Sequence, residues 1–136
     1  MAYQIKRKPH VQETLELCDQ EGNVKLRIDV DIDVDKMGGR IAAAQSVMGA
    51  AQKLIAEQPN SDAAQEAFGK SVVALFTTVF GEDDTGKILT FYEGNYAEML
   101  LDVFPFLNEA VLPAVAKASA DRKNQLLAAA NAGRRK

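Results

Sequence analysis

The sequence predicts an α+β domain in which a small antiparallel N-terminal β-sheet is followed by a mostly α-helical bundle. Three observations carry this. Up to Asp35, apolar and polar side chains alternate with a period of two, as on a strand with one buried face. From Met37 onward, apolar residues recur in steps of three and four, as on one side of a helix. Between the apolar runs stand residues that turn or stop a chain, among them Gly22, Pro59, Gly81 and Gly94. A length of 136 residues suits one domain. It is expected over 1–118, with strands in 1–35 and helices in 36–118, followed by a basic C-terminal tail, mobile or helical, over 119–136.

Three strands are expected, in "YQIKRK", "TLELC" and "VKLRIDVDID". "DQEGN" supplies turn chemistry between the last two, with Glu21 and Gly22 at its tip. Pairing Leu17 with Leu26 places Leu15, Leu17, Leu26 and Ile28 on one face and sets Glu16 against Arg27 on the other. The same register buries Ile28, Val30, Ile32 and Val34 and turns Asp29, Asp31, Asp33 and Asp35 outward. Neighbouring aspartates then lie roughly 6 to 7 Å apart and repel, with Lys6 and Lys8 of the first strand as the expected counter-charges. A calcium loop is the alternative for such a row. An EF-hand requires glycine at its sixth position and glutamate at its twelfth. Counted from Asp29 these are Val34 and Arg40, and from Asp31 they are Lys36 and Ala42. The row therefore reads as a solvated strand face, and no metal or cofactor site is expected.

The first helix carries Met37, Ile41, Ala44, Met48, Ala51 and Ile55 on one side. Its flanks are small, with Ala42, Ala43, Ser46, Gly49 and Ala50 letting another helix approach, and Pro59 stops it. Its glycines suit packing or a hinge, since no phosphate-loop pattern surrounds them. Asn60 or Ser61 caps a second helix with Ala64, Phe68, Val72, Leu75, Phe76 and Val79 on its apolar side, ending at Gly81. Asp84 or Thr85 is expected to cap a third helix, which Gly94 stops, and Asn95 with Glu98 resembles a capping box opening a fourth. Pro105 removes a backbone donor and forces a kink or a fresh start, and Pro113 repeats the disturbance.

Composition removes several classes of function. With 47% hydrophobic and 26% charged residues the chain has the balance of a globular protein. No run approaches ~20 apolar residues and the start lacks a signal peptide, so the expected place is the cytoplasm, with no membrane partner. One cysteine and one histidine supply neither an internal disulfide nor a Cys/His zinc site. A net charge of −3, and aromatics not interleaved with basic residues, argue against specific nucleic-acid binding. The basic end, with Arg122, Lys123, Arg134, Arg135 and Lys136, has the charge to touch RNA or an acidic partner but reads first as a solubilising terminus. His10 lies beside Pro9 at a strand end, and Cys18 near a turn has only Lys25 opposite it, so neither belongs to a catalytic set.

What remains is apolar surface. "FYEGNYAEMLLDVFPF" crowds Phe91, Tyr92, Tyr96, Met99, Leu100, Phe104 and Phe106 around a helix start. Aromatic and methionine anchors of this kind hold a partner helix in a groove, and Met48 on the small-residue helix extends the candidate surface. The same side chains can equally pack on the second helix and the sheet.

"LFTTVFGEDDTGKILTFYEGNYAEMLLDVFPFLNEAVLP", preceded by a helix and a strand pair of the "VKLRIDVDID" kind, resembles tail assembly chaperones of phages and prophages of Gram-positive bacteria. The likeness runs from about Leu26 to Pro113. Its most specific parts are Phe80 and Gly81 with the acidic turn, Phe91 through Asn95, Glu98 with Met99, and the triplet Phe104, Pro105 and Phe106. The resemblance implies a non-enzymatic protein that coats the long, hydrophobic, helical tape measure protein in the host cell cytoplasm. Tail tube subunits then displace it, and it is not retained in the virion. It also implies a homo-oligomer, and a family in which ribosomal frameshifting near the C-terminus often yields a longer product. A virion tail structural or adaptor protein retained in the particle is the alternative, and a small enzyme or metal-dependent regulator using the aspartate row a third.

Overall fold

In a computed structural model, described over residues 1–134, the chain is an α+β domain, an antiparallel strand pair packed on a helical bundle. Strands β1 (Val11–Cys18) and β2 (Val24–Ile32) pair with Leu17 opposite Leu26, Leu15 opposite Ile28 and Glu16 opposite Arg27, as side-chain parity requires. Ile28, Val30 and Ile32 are buried while Asp29 and Asp31 stay wet. The turn is wider than two residues. Asp19 organises it by accepting the backbone N–H groups of Asn23 (3.0 Å) and Glu21 (2.9 Å), and these bonds hold its carboxyl below the ordinary range. A bulge beside Cys18 sets that residue against Val24, so Lys25 does not face the thiol and instead lies 3.6 Å from Asp19.

The expected first strand is absent. Residues 1–10 are exposed and unpaired, with Tyr3 and Ile5 open to solvent. Arg7 would place a charge on the apolar face of such a strand, and Pro9 cannot donate to a ladder. Lys6 and Lys8 therefore do not neutralise the aspartates. His10 Nδ1 lies 2.7 Å from Asp31, Arg27 Nε 3.3 Å from Asp29, and Arg122 Nε 3.0 Å from Asp35. Val34 and Asp35 also leave the strand row, because Asp33 caps a helix that begins at Val34.

That helix, α1 (Val34–Glu57), buries Ile41, Met48 and Ala51 and ends before Pro59. A Cβ on Gly38 would meet Ser119 Oγ at 3.2 Å, so this glycine admits the last helix against α1. Ser61 caps α2 (Asp62–Phe80), whose side chains Val72, Leu75, Phe76 and Val79 form the middle of the core. Gly81, at φ 86°, closes α2 and opens α3 (Glu82–Phe91) without a side-chain cap.

Thr85, expected as a cap, is one turn inside α3 and buried, and its hydroxyl has no partner among the described residues. An unpaired buried hydroxyl costs about 1–3 kcal/mol. Thr85→Val, close in shape, is expected to raise the unfolding free energy by about 1 kcal/mol in urea titration.

Glu93 (φ 54°) and Gly94 (φ 78°) end α3, and Asn95 caps α4 (Tyr96–Phe106) by accepting Glu98 N–H at 3.1 Å. Pro105 neither stops nor restarts the helix. Its disturbance is absorbed by a π turn at Leu107–Val111, after which α5 (Leu112–Arg134) continues the same rod. Met99, Val103, Leu107, Val111 and Val115 are buried along its inner side, and this packing holds the helix across the proline. The tail from Ser119 is the continuation of α5, with no break at residue 118, because residues 114–132 contain neither glycine nor proline. Arg135 and Lys136 lie outside the described residues.

The rod runs from Tyr96 to Gly133. It is 38 residues long and, by length and composition alone, apolar enough to cross a membrane. A third of its most apolar stretch is buried, where the residues just named face the core.

Candidate functional site

The eight residues proposed from sequence to face a partner are divided by the fold. Met48 (6% exposed), Tyr92 (7%) and Met99 (1%) are core residues, so in this conformation none is offered broadly to another chain. They correct the reading from sequence: α1 turns Met48 inward, and Met99 points between α4 and α2. Phe104 and Phe106 are half-buried, and Phe106 stacks on Phe80 with ring centroids 6.4 Å apart and 14° between planes. Phe91 is half-buried and meets Tyr92 edge-on at 5.0 Å. Tyr96 is 54% exposed.

Three of the eight do come together. Tyr96, Leu100 and the inner edge of Met99 form one wall of a groove of about 220 Å³ between α4, α2 and the end of α1. Phe68, Val72 and Val73 of α2 form the facing wall, and Ile55 closes one side. Apart from Gln65 the lining residues are apolar. Gly69 and Ala97 are what leave the space open, since neither carries a side chain beyond Cβ and a Cβ on Gly69 would touch nothing within 4 Å. Pockets for small molecules and cofactors usually run to about 300–1,000 Å³ with a few convergent polar groups. This one is smaller and lacks such groups, so it fits the anchoring side chains of a peptide or helix. Beyond the groove, Leu101 and Val47 are exposed apolar residues on the outer sides of α4 and α1.

The α2 wall was not identified from sequence, where Phe68 and Val72 belong to one continuous core stripe. A signal was present in the pairing of Gly69 with Ala97, a small residue on each of two helices with amphipathic faces.

Among the described residues, no histidine, cysteine, aspartate or glutamate lines the groove. His10 is engaged with Asp31 and lies 3.8 Å from Asp33 on a wet strand face. Cys18 is exposed, and the bulge has moved Lys25 away from it. Among the described residues no group of three or more His, Cys, Asp or Glu side chains is placed to hold a metal ion.

A second concavity is polar at its rim. It runs between β1 and α4, with Phe91 and Tyr92 at its base and Glu93, Glu98 and Asp102 along one side. Burial, together with the carboxylates of Asp102 and Glu98, pushes the Tyr92 phenol from 10.0 up to about 12. A folded-state value above the unfolded one means that the stabilisation is complete below pH 10 and is lost as pH rises towards 12. Alkaline melting between these limits should therefore show a fall in stability that Tyr92→Phe reduces.

No family model, no curated protein and no solved structure matches the chain.

Proposed function

We propose that this protein is a phage tail assembly chaperone that binds the hydrophobic helical tape measure protein and copies of itself before the tail tube polymerises. The observation that supports it most is the apolar groove between α2 and α4, with Tyr96 standing exposed at its edge. Its size and lining suit successive apolar anchors of a helix, the form in which a tape measure protein would present them. Many weak sites of this kind along a long guest chain, each filled by one copy, would keep the guest from self-associating. Tube subunits could then displace them one at a time. The action needs no catalysis, no cofactor, no membrane and no nucleic acid, and its place is the host cytoplasm.

Co-expression with the tape measure protein encoded nearby tests this. The expected result is a tape measure protein that stays in the soluble fraction and co-purifies with this chain. A tape measure protein that remains insoluble at equal expression would overturn the reading. Mass spectrometry of finished particles separates the adaptor alternative, since a chaperone is absent from them and an adaptor is retained.

A further inference from the structure

The ten residues before β1 form no regular structure, yet residues 3–8 are patterned as a strand. Tyr3 and Ile5 are almost wholly exposed, and they alternate with Gln4, Lys6 and Lys8. Among the described residues the sheet has two strands, so β1 has one edge without a strand partner. Open edges of this kind are templates for strand addition.

The concavity beside β1, about 660 Å³, is lined by Leu15 through Cys18 at the end of the strand and by Asp19 and Gln20 of the turn that follows. Side chains of consecutive strand residues point to opposite faces, so a groove touching each of Leu15 through Cys18 runs along the edge of the second half of β1. Its base is apolar where Leu15, Leu17, Phe91 and Tyr92 contribute. Its rim is anionic, with Glu16 on the strand and Glu93, Glu98 and Asp102 across from it. Among the described residues these four carboxylates have no ion-pair partner. The segment at 3–8 carries the complement, with Tyr3 and Ile5 for the base, Arg7 following them on the same face towards Glu98 and Asp102, and Lys6 and Lys8 on the other face with Glu16.

We infer that residues 3–8 of one copy add as a third strand along the open edge of β1 in a second copy, seating Tyr3 and Ile5 on the apolar base and the cations against the acidic rim. The donor is another molecule because His10 is held over β2, 2.7 Å from Asp31, and so directs its own segment away from the β1 edge. Because each copy has one donor segment and one acceptor edge, the contact can be reciprocal in a closed dimer or repeat head to tail. The inference rests on the self-association included in the proposed function and assigns it a surface apart from the apolar groove.

Light scattering after size exclusion, on the full chain at low and high salt, tests it. The wild type should elute as a dimer or larger, shifting towards the monomer as salt rises. Lys6→Glu with Arg7→Glu and Lys8→Glu should give a monomer at low salt, and adding Glu98→Lys with Asp102→Lys should restore the larger species. Ile5→Pro, which leaves the charges in place but interrupts the ladder, should also give a monomer. A monomeric wild type overturns the inference, as does an oligomer unchanged by the charge reversal or by Ile5→Pro. The co-expression experiment keeps the two readings apart. A monomeric chain that still keeps the tape measure protein soluble ends the strand exchange alone. An oligomer that disperses on charge reversal, with an insoluble tape measure protein, ends the chaperone reading alone.

Discussion

Phe76→Ala is expected to lower the unfolding free energy by about 3–5 kcal/mol, a large share of the roughly 5–15 kcal/mol that holds a domain of this kind together. Phe76 is wholly enclosed and meets Phe80 edge-on, with ring centroids 5.8 Å apart. Phe80 in turn stacks on Phe106, so three rings join the C-terminal end of α2 to the end of α4. Removing the first ring leaves a cavity in the close-packed core that the elements around α2, namely α1, α3 and β2, move only partly to fill. The midpoint of urea unfolding should fall sharply with an unchanged slope. A loss below about 1 kcal/mol would mean that the site collapses easily and that the ring series is not the centre of the core.

The parts of the fold that depend on local chemistry were legible in the sequence. Side-chain parity requires Leu17 opposite Leu26 whichever helices cover the sheet, and the structure has that pair. Ser61, Gly81 and Asn95 act within one turn of themselves, through a side-chain oxygen or a positive φ, and each stands at the helix end expected of it. Misreadings arose where a distant neighbour decides. Residues 3–8 alternate as a strand does, but alternation states only which face would be buried and does not provide an edge to pair with. Pro105 would break an isolated helix, yet the packing of Met99, Val103 and Leu107 on either side of it carries the rod through to a π turn. The groove was only half legible for a related reason. Periodicity marks Tyr96, Met99 and Leu100 as apolar, as it does Phe68 and Val72, but which of these are covered depends on how closely α2 and α4 approach.

Gly69→Leu should separate the groove's role from its contribution to stability. A Cβ at Gly69 meets nothing within 4 Å, so a larger side chain can enter the space between α2 and α4 without displacing backbone. Replacing glycine inside a helix also favours the helix by about 0.5–1 kcal/mol, and an isobutyl group laid on Phe68 and Leu100 adds apolar burial. The variant should therefore melt at or above the wild-type temperature. Its groove would be filled by its own side chain, and retention of the tape measure protein in the soluble fraction should fall at least about tenfold, equivalent to about 1.4 kcal/mol of lost binding. Tyr96→Ala approaches the same surface from the opposite direction. It removes the exposed aromatic from the rim, where truncating an anchor typically costs more than 1 kcal/mol of binding, while the fold loses little because that ring is mostly in solvent. Two variants that leave stability intact and both abolish co-purification would locate the guest in this groove. If Gly69→Leu keeps the tape measure protein as soluble as the wild type does, the guest does not use it, and the exposed Val47 and Leu101 faces become the surfaces to alter next.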